Sequence, residues 1–580
     1  MSKNYSMKWD LNSLQGSHFP DLKEALKILQ LDCDALAVQP SLPSFTEIQN
    51  LSARCLEFEN LILAYLSQDV NDQTAMQLQA QAASVRSTLE TNFSHLNAQL
   101  ALLSEDEFKV LVENPLLEPI AYILKEKRSW SHEQLPLEQE KIVNSLTING
   151  YQAWNELYSE LMGRLSIPIN AGPDVKKVSV GQAENFLSHP DRKVRQAMFK
   201  QCDTTWKEHE NTFGLILNNL SGFRLQLYKA RKWNSFMKEP LQCNRMQEKT
   251  LDTMWNVVEG RKELLKSYLL KKAELLNLPK LSWFDIDSPL SHAQHPFLPY
   301  QEAANLIIRE FRAFSPHMGA FAEKAFQEKW IEAEDREGKR PGGYCAHFPL
   351  SRQSRIFMTY SGSMTNLFTL AHELGHAYHN FVVDPLPGLA QDYKMNVAET
   401  ASTLAEAIII DSLIQNAPND QAKQILLDYK IQRSVMFCMN IHARFLFEKN
   451  FYEERIKGFV LPSTLNHLME KAQKIAFCEA LGEWHPYFWI SKQHFYFTEV
   501  PFYNFPYTFG YLFSLGVYTH LKQKGPNAFH SYDALLADTG RMATEGLARK
   551  HLNVNLEEPG FWEMTMSAIE KDIEELLLLM

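Results

Sequence analysis

Apolar residues recur at three- and four-residue spacing over 21–37, 45–68, 72–103, 134–165, 180–200, 245–275, 300–328, 419–457 and 463–482. That is the period of an amphipathic helix packed on one side. Strand signals are few and concentrate between 340 and 362, where Ile356-Phe-Met-Thr-Tyr360 is a short β-prone run ended by Ser361-Gly-Ser363. The pattern therefore predicts a mainly α protein with a small β element. No Gly/Ser linker, low-complexity tract or internal repeat divides the chain. The best internal boundary is Ile167-Pro-Ile-Asn-Ala-Gly-Pro173, where two prolines and a glycine interrupt helices. It separates an N-terminal helical region, 1–172, from a region 173–580.

Two helical runs carry the chemistry. The first is Phe368-Thr-Leu-Ala-His-Glu-Leu-Gly-His-Ala-Tyr-His379. His372 and His376 are four apart, so a helix puts both on one face, one turn apart. That separation suits chelation of one zinc ion at Zn–N distances of about 2.0–2.1 Å. Glu373 follows the first histidine and is placed to act as general base toward an attacking water. Chance alone produces such a motif in about a few chains per hundred of this composition, and a helical His pair also occurs as a satisfied core pair. A third ligand has to decide.

In one branch of these enzymes a third His stands six residues after the second. Here that position is Val382, which excludes the branch. The acidic candidates downstream are Asp384, Asp392, Glu399, Glu406 and Asp411. Asp384 lies in the breaker cluster Asp384-Pro-Leu-Pro-Gly388 and is expected in a loop. The second run, Met395-Asn-Val-Ala-Glu-Thr-Ala-Ser-Thr-Leu-Ala-Glu-Ala-Ile-Ile-Ile410, reads as a helix capped by Asn396, with Glu399 in its first turn. Glu399 then either closes a capping box with Asn396 or ligates the metal. Glu406 and Ser402 share its face, and either can orient a ligand imidazole from behind. Spacing favours Glu399 over Glu406 and leaves both open.

Thr369-Leu-Ala-His-Glu-Leu-Gly-His-Ala-Tyr-His379 followed by Val397-Ala-Glu-Thr-Ala-Ser-Thr403 resembles the oligoendopeptidase F branch of the thimet oligopeptidase family of zinc metallopeptidases. Arg340-Pro-Gly-Gly-Tyr-Cys345 is similar to that family's Gly-rich loop, and Ser188-His-Pro-Asp-Arg-Lys-Val-Arg-Gln-Ala-Met-Phe199 to its N-terminal signature. His494-Phe-Tyr496 with Phe502-Tyr-Asn-Phe-Pro-Tyr-Thr-Phe-Gly-Tyr511 is similar to its tyrosine-rich substrate segment. The matches span about residues 180–525.

The resemblance implies a two-lobed helical zincin-type fold whose lobes need not follow chain order, with a small β-sheet beside the active site and a deep channel admitting short peptides. It implies one Zn2+ held by His372, His376 and Glu399, and an endopeptidase acting on oligopeptides with Glu373 as base. Tyr507 and Tyr503 are the implied oxyanion and substrate donors, and His494 a substrate-contacting histidine. The oxyanion role suits Tyr, whose hydroxyl donates without titrating near pH 7. Tyr503, Tyr507 and Tyr511 share a face if helical, but the phenylalanines around them also suit a plain aromatic core. The Ile356–Tyr360 strand is expected to offer its edge to an extended peptide, below a loop made flexible by Gly342 and Gly343. Two departures stand out. Asn366 occupies a position that is usually acidic, and the stretch between His494 and Phe502 is longer than usual, which affects the assignment of tyrosines to roles. An exopeptidase of the same class and a non-catalytic, zinc-stapled peptide-binding protein are the competing readings.

Bulk properties narrow the partners. A net charge of −11, without any Lys/Arg-rich run, argues against nucleic acid. Arg192-Lys-Val-Arg195 reads as a solvated helix face. No window of about twenty apolar residues exists, so no membrane span is expected. Seven dispersed cysteines without a CxxC pair point to reduced thiols. With an N-terminus lacking a secretory apolar stretch, they make a cytoplasmic location the expectation. Oligomeric state is not legible.

Overall fold

The computed structural model describes residues 4–36, 41–171, 174–290, 297–525 and 529–580. It is 72% helical, in agreement with the mainly α reading. The chain forms two compact units that do not follow chain order. One comprises Met1–Gln134, His295–Leu413 and Val517–Val554; the other Leu135–Gln294, Ile414–Gly516 and Asn555–Met580. The segment read as a boundary, 167–173, runs inside the second unit. Its described part belongs to an antiparallel pair, Ser166–Ala171 with Asp174–Ser179, while residues 172 and 173 lie outside the described residues, as does residue 37 of the 21–37 helix. Pro168 sits within the first of these strands, so a proline here does not mark a linker.

In the first unit, the long helices Leu42–Gln68 and Gln73–Leu102 bury a continuous apolar cluster that includes Phe45, Phe58, Leu78 and Leu96. Asp72 caps the second of them by accepting from Ala75 N at 2.9 Å. The same cluster reaches Ala346, Phe348 and Phe357 of a three-stranded sheet. Its order is Ile331–Glu332, Gln353–Phe357, Tyr344–Phe348. The strand expected to offer an edge is therefore the central one. Ile356 N, Met358 N and Tyr360 N donate to Trp330, Glu332 and Ala333 carbonyls, and Cys345 pairs with Ile356 on the other side. The two-residue partner strand is too short to announce itself by alternation. The outer strands are Ile331–Glu332 and Tyr344–Phe348, and in the latter His347 O accepts from Asn60 Nδ2 at 2.8 Å.

The second unit is organised around Arg192–Ala230, capped by Asp191 through Lys193 N. Here the basic start of the helix departs from the solvated-face reading. Arg195 is 2% exposed and, with Arg192, grips the buried carboxylate of Asp285. Filling the fork offsets the cost of burying a guanidinium, and Arg195 also donates to the carbonyls of Phe284, His189 and Pro190. No helix among the described residues is long and apolar enough to cross a membrane.

Candidate metal centre

Ser363 starts the helix Met364–Val383. Its hydroxyl accepts from Asn366 N, and Asn366 Oδ1 accepts from Ser363 N, closing a capping box. Asn366 also accepts from Ser361 N and Oγ and donates to Thr359 O. The amide that departs from the usual acidic residue thus serves as a helix start. Further along, His379 stacks on Tyr393 at 3.9 Å and its Nε2 meets Thr539 Oγ1 at 2.8 Å, while Asn380 donates to Ser354 of the sheet. These contacts fix the rotation of the helix and hence where His372 and His376 point.

They point at Glu399. His372 Nε2 and His376 Nε2 are 3.2 Å apart, and Glu399 Oε2 lies 3.3 Å from the first and 3.5 Å from the second. A tetrahedral shell at about 2.0–2.1 Å from zinc has donor–donor edges of about 3.3–3.4 Å, so the triangle fits the ion. Among the described residues this is the group of His, Cys, Asp or Glu side chains able to hold a metal. Glu399 stands on the helix Met395–Gln415. The capping-box reading fails, because Asn396 is inside the helix and buried, donating to Thr544 Oγ1. Ser402 Oγ donates to Glu399 Oε2 at 2.6 Å, and Glu406 Oε1 lies 2.6 Å from His372 Nδ1. With its Nδ1 proton given to Glu406, His372 presents the Nε2 lone pair to the shared point. Of the two residues expected to orient an imidazole, Glu406 does so, whereas Ser402 holds the Glu399 carboxylate.

The electrostatics call for a cation. Glu373 is 7% exposed, and burial pushes its carboxyl up to about 7, helped by Glu399 and Glu406 and opposed by His372. Burial works against charge on His372, but the Glu406 hydrogen bond and three carboxylates hold it up to about 9. Burial and the neighbouring His372 push His376 down. Three carboxylates and two imidazoles sharing one partly buried site are best neutralised by a divalent ion.

The remaining expected residues form a cluster within the second unit. His494, Tyr503 and Tyr507 have ring centroids 5.4–5.8 Å apart. Tyr503 and Tyr507 are half-buried, while Phe502, Phe505 and Phe509 around them are buried. This is not one helical face: the helix Phe505–Lys524 begins after Tyr503, and Tyr511 is turned away into a hydroxyl contact with Ser434 and a stack on Phe437. Burial, Arg444 and Lys492 push His494 down to about 4, so it is a neutral imidazole at pH 7.

Beneath this cluster, buried Glu448 accepts from Asn504 Nδ2 at 3.3 Å, and burial pushes it up to about 7 against the pull of Arg224. Between about pH 4.5 and 7 the folded chain then binds more protons at this group than the unfolded chain, so its share of stability falls as pH rises through that window. Denaturant unfolding at pH 5 and pH 8 should show Glu448→Gln flattening that fall by roughly 3 kcal/mol. Equal pH slopes for the two proteins would contradict it.

The sequence profile of peptidase family M3 matches residues 185–547, and that of oligopeptidase F matches residues 99–166. The chain belongs to peptidase family M3. It is 26% identical over 366 residues to an oligoendopeptidase F homolog of Lactococcus lactis, a match covering 61% of this chain and 59% of that protein. It is 25% identical over 488 residues to the group B oligopeptidase PepB of Streptococcus agalactiae, covering 81% and 79%. Among solved structures, a chain from Chlamydophila abortus superposes with a TM-score of 0.85 at 19% identity, covering 99% of this chain and 98% of that one. The oligoendopeptidase-F of Enterococcus faecium superposes with a TM-score of 0.70 at 20% identity, covering 98% and 99%.

Within this M3 chain the glycine of His-Glu-Leu-Gly-His has a physical reason. A Cβ on Gly375 would lie 2.6 Å from both Ala401 O and Ser402 Cα, the backbone of the Glu399 helix. Only glycine lets the two helices approach closely enough for Glu399 to meet the histidines. Gly375→Ala is expected to cost about 1–3 kcal/mol by overpacking, visible in thermal unfolding, and to weaken zinc binding in a titration. Unchanged zinc affinity would show that the close approach does not set the ligand geometry.

Proposed function

We propose that this chain is a zinc-dependent endopeptidase that hydrolyses internal bonds of short oligopeptides. The observation carrying this is the triangle of His372 Nε2, His376 Nε2 and Glu399 Oε2, with edges of 3.2–3.5 Å beside the buried Glu373. Membership of family M3 supports it. When bound, zinc supplies Lewis-acid chemistry, acidifying water and drawing charge from a carbonyl oxygen. Glu373 takes the proton of the attacking water and returns it to the leaving amine. Glu406 holds the His372 tautomer, and Ser402 holds the Glu399 carboxylate. Tyr507 and Tyr503 donate to the oxyanion and to the substrate, with His494 as a substrate contact.

A structural zinc site usually fills all four positions with protein donors. Here the described group has three members, which favours a site open to substrate. The seven cysteines are all free thiols, in keeping with a cytoplasmic enzyme.

Tyr507→Phe keeps the ring and removes the donor. It is expected to lower kcat on the order of 10²–10³-fold with KM little changed, as for loss of one oxyanion donor; a wild-type kcat would remove Tyr507 from the reaction. The function itself is tested by digesting a set of peptides of graded length and reading the products by mass spectrometry. Internal cuts in short peptides, lost on chelation and regained with zinc, are expected. Release of dipeptides from one end alone would make the enzyme an exopeptidase, and no cleavage at all would overturn the proposal.

A further inference from the structure

The second unit holds a buried cation whose hydrogen-bonding capacity is largely unused. Arg444, on the helix Ile441–Lys457, is 7% exposed. Its Nε donates to Asn440 Oδ1 at 2.9 Å, and its Cζ lies 5.2 Å from the centre of the Phe488 ring. A guanidinium carries five N–H donors, and among the described residues this is the hydrogen bond Arg444 makes.

Three other buried arginines differ. Arg195 has the Asp285 carboxylate and three carbonyls. Arg224 has Tyr151, Tyr452 and the Phe497 carbonyl. Arg355 has Asp10 O, Gln353 Oε1, Ser354 O and Ser13 Oγ. A filled fork is what makes such burial tolerable. Arg444 has no such set, and burial pulls it down to about 10, countered only by Tyr507 and Glu184.

Its surroundings specify the missing partner. Arg444 is near enough to Tyr507 and His494 to act electrostatically with both, and it shares the Phe488 ring with Lys492, two residues before His494. Lys492, whose Nζ is 5.3 Å from the same Phe488 ring, is already tied to Glu184 Oε1 at 3.2 Å. The free capacity therefore belongs to Arg444, and its planar fork matches a carboxylate in a bidentate pair. We infer that Arg444, beside His494 and Tyr507, is the anchor for a substrate carboxylate, either the free C-terminus of the peptide or an acidic side chain. This rests on the peptidase reading above and adds the chemistry by which that substrate is held.

The test uses one quenched-fluorescence peptide in three forms: C-terminal acid, C-terminal amide, and amide with one residue after the scissile bond changed to Glu. Wild-type zinc enzyme should favour the acid or the Glu-amide over the plain amide by about tenfold or more in KM, the scale of a charge-assisted hydrogen-bonded pair. Preference for the acid identifies the C-terminus as the source, and preference for the Glu-amide identifies the side chain. In Arg444→Met the ratio should collapse to within about twofold, and Arg444→Lys should restore part of it. Three peptides cleaved equally by wild type, or a ratio that survives in a folded Arg444→Met, would overturn the anchor. Should Arg444→Met not fold, the wild-type ratios decide alone. Metal-dependent cleavage of any form leaves the peptidase reading standing, whereas failure to cleave all three would sink that reading instead.

Discussion

Glu373→Gln should retain one zinc per chain and lose on the order of 10²–10⁴-fold in kcat toward a quenched-fluorescence oligopeptide. The amide matches the carboxylate in shape but cannot take a proton from water. Glu373 is not among the three side chains whose donor atoms converge, so the ligand triangle should survive the change. It is buried beside His372, whose attraction the amide loses, and beside Glu399 and Glu406, whose repulsion the amide relieves. Zinc content by elemental analysis and turnover on the same sample separate the two effects. Substantial residual turnover with full zinc would take the general base away from Glu373.

The second large effect separates Glu399 from Glu406, the two acidic residues that spacing left open. Glu406→Gln removes the acceptor of the His372 Nδ1 proton, at 2.6 Å, and should weaken zinc by about 10–100-fold, the usual cost of losing an outer partner. Glu399→Ala removes a direct donor and should cost more than that, with peptide cleavage falling in step with zinc occupancy. Competition with a chelator of known affinity measures both variants. If Glu406→Gln proved the more damaging, the roles of the two glutamates would have to be exchanged.

The histidine pair was legible from helix periodicity, whereas the choice of Glu399 over Glu406 rested on the family resemblance. Histidines four apart must share a face, and about two turns of a second helix carry Glu399, Ser402 and Glu406 along one side. Asn396 was misread because a cap and a buried polar residue share one residue type; only Thr544, 148 positions away, distinguishes them. The strand at 353–357 looked like an edge because its parallel neighbour, Ile331–Glu332, is two residues long and has no period to detect. The antiparallel pair Ser166–Ala171 with Asp174–Ser179 hid behind Pro168, a residue type that reads as a break.

Arg444 had no signal at all. On a helix of this pattern an arginine normally extends its head to solvent, and only packing against Phe488 reveals that this one does not. The resemblance implied that lobes need not follow chain order, but which segments make up each compact unit was out of reach, since that depends on contacts between segments hundreds of residues apart.

The metal centre is tested most directly by anomalous diffraction at the zinc edge from crystals of the zinc-loaded protein. The expected result is one peak per chain, within about 2.0–2.2 Å of His372 Nε2, His376 Nε2 and a Glu399 oxygen, with no fourth protein donor. A peak elsewhere, a fourth protein ligand closing the site, or a full-occupancy peak that persists in Glu399→Ala would contradict it.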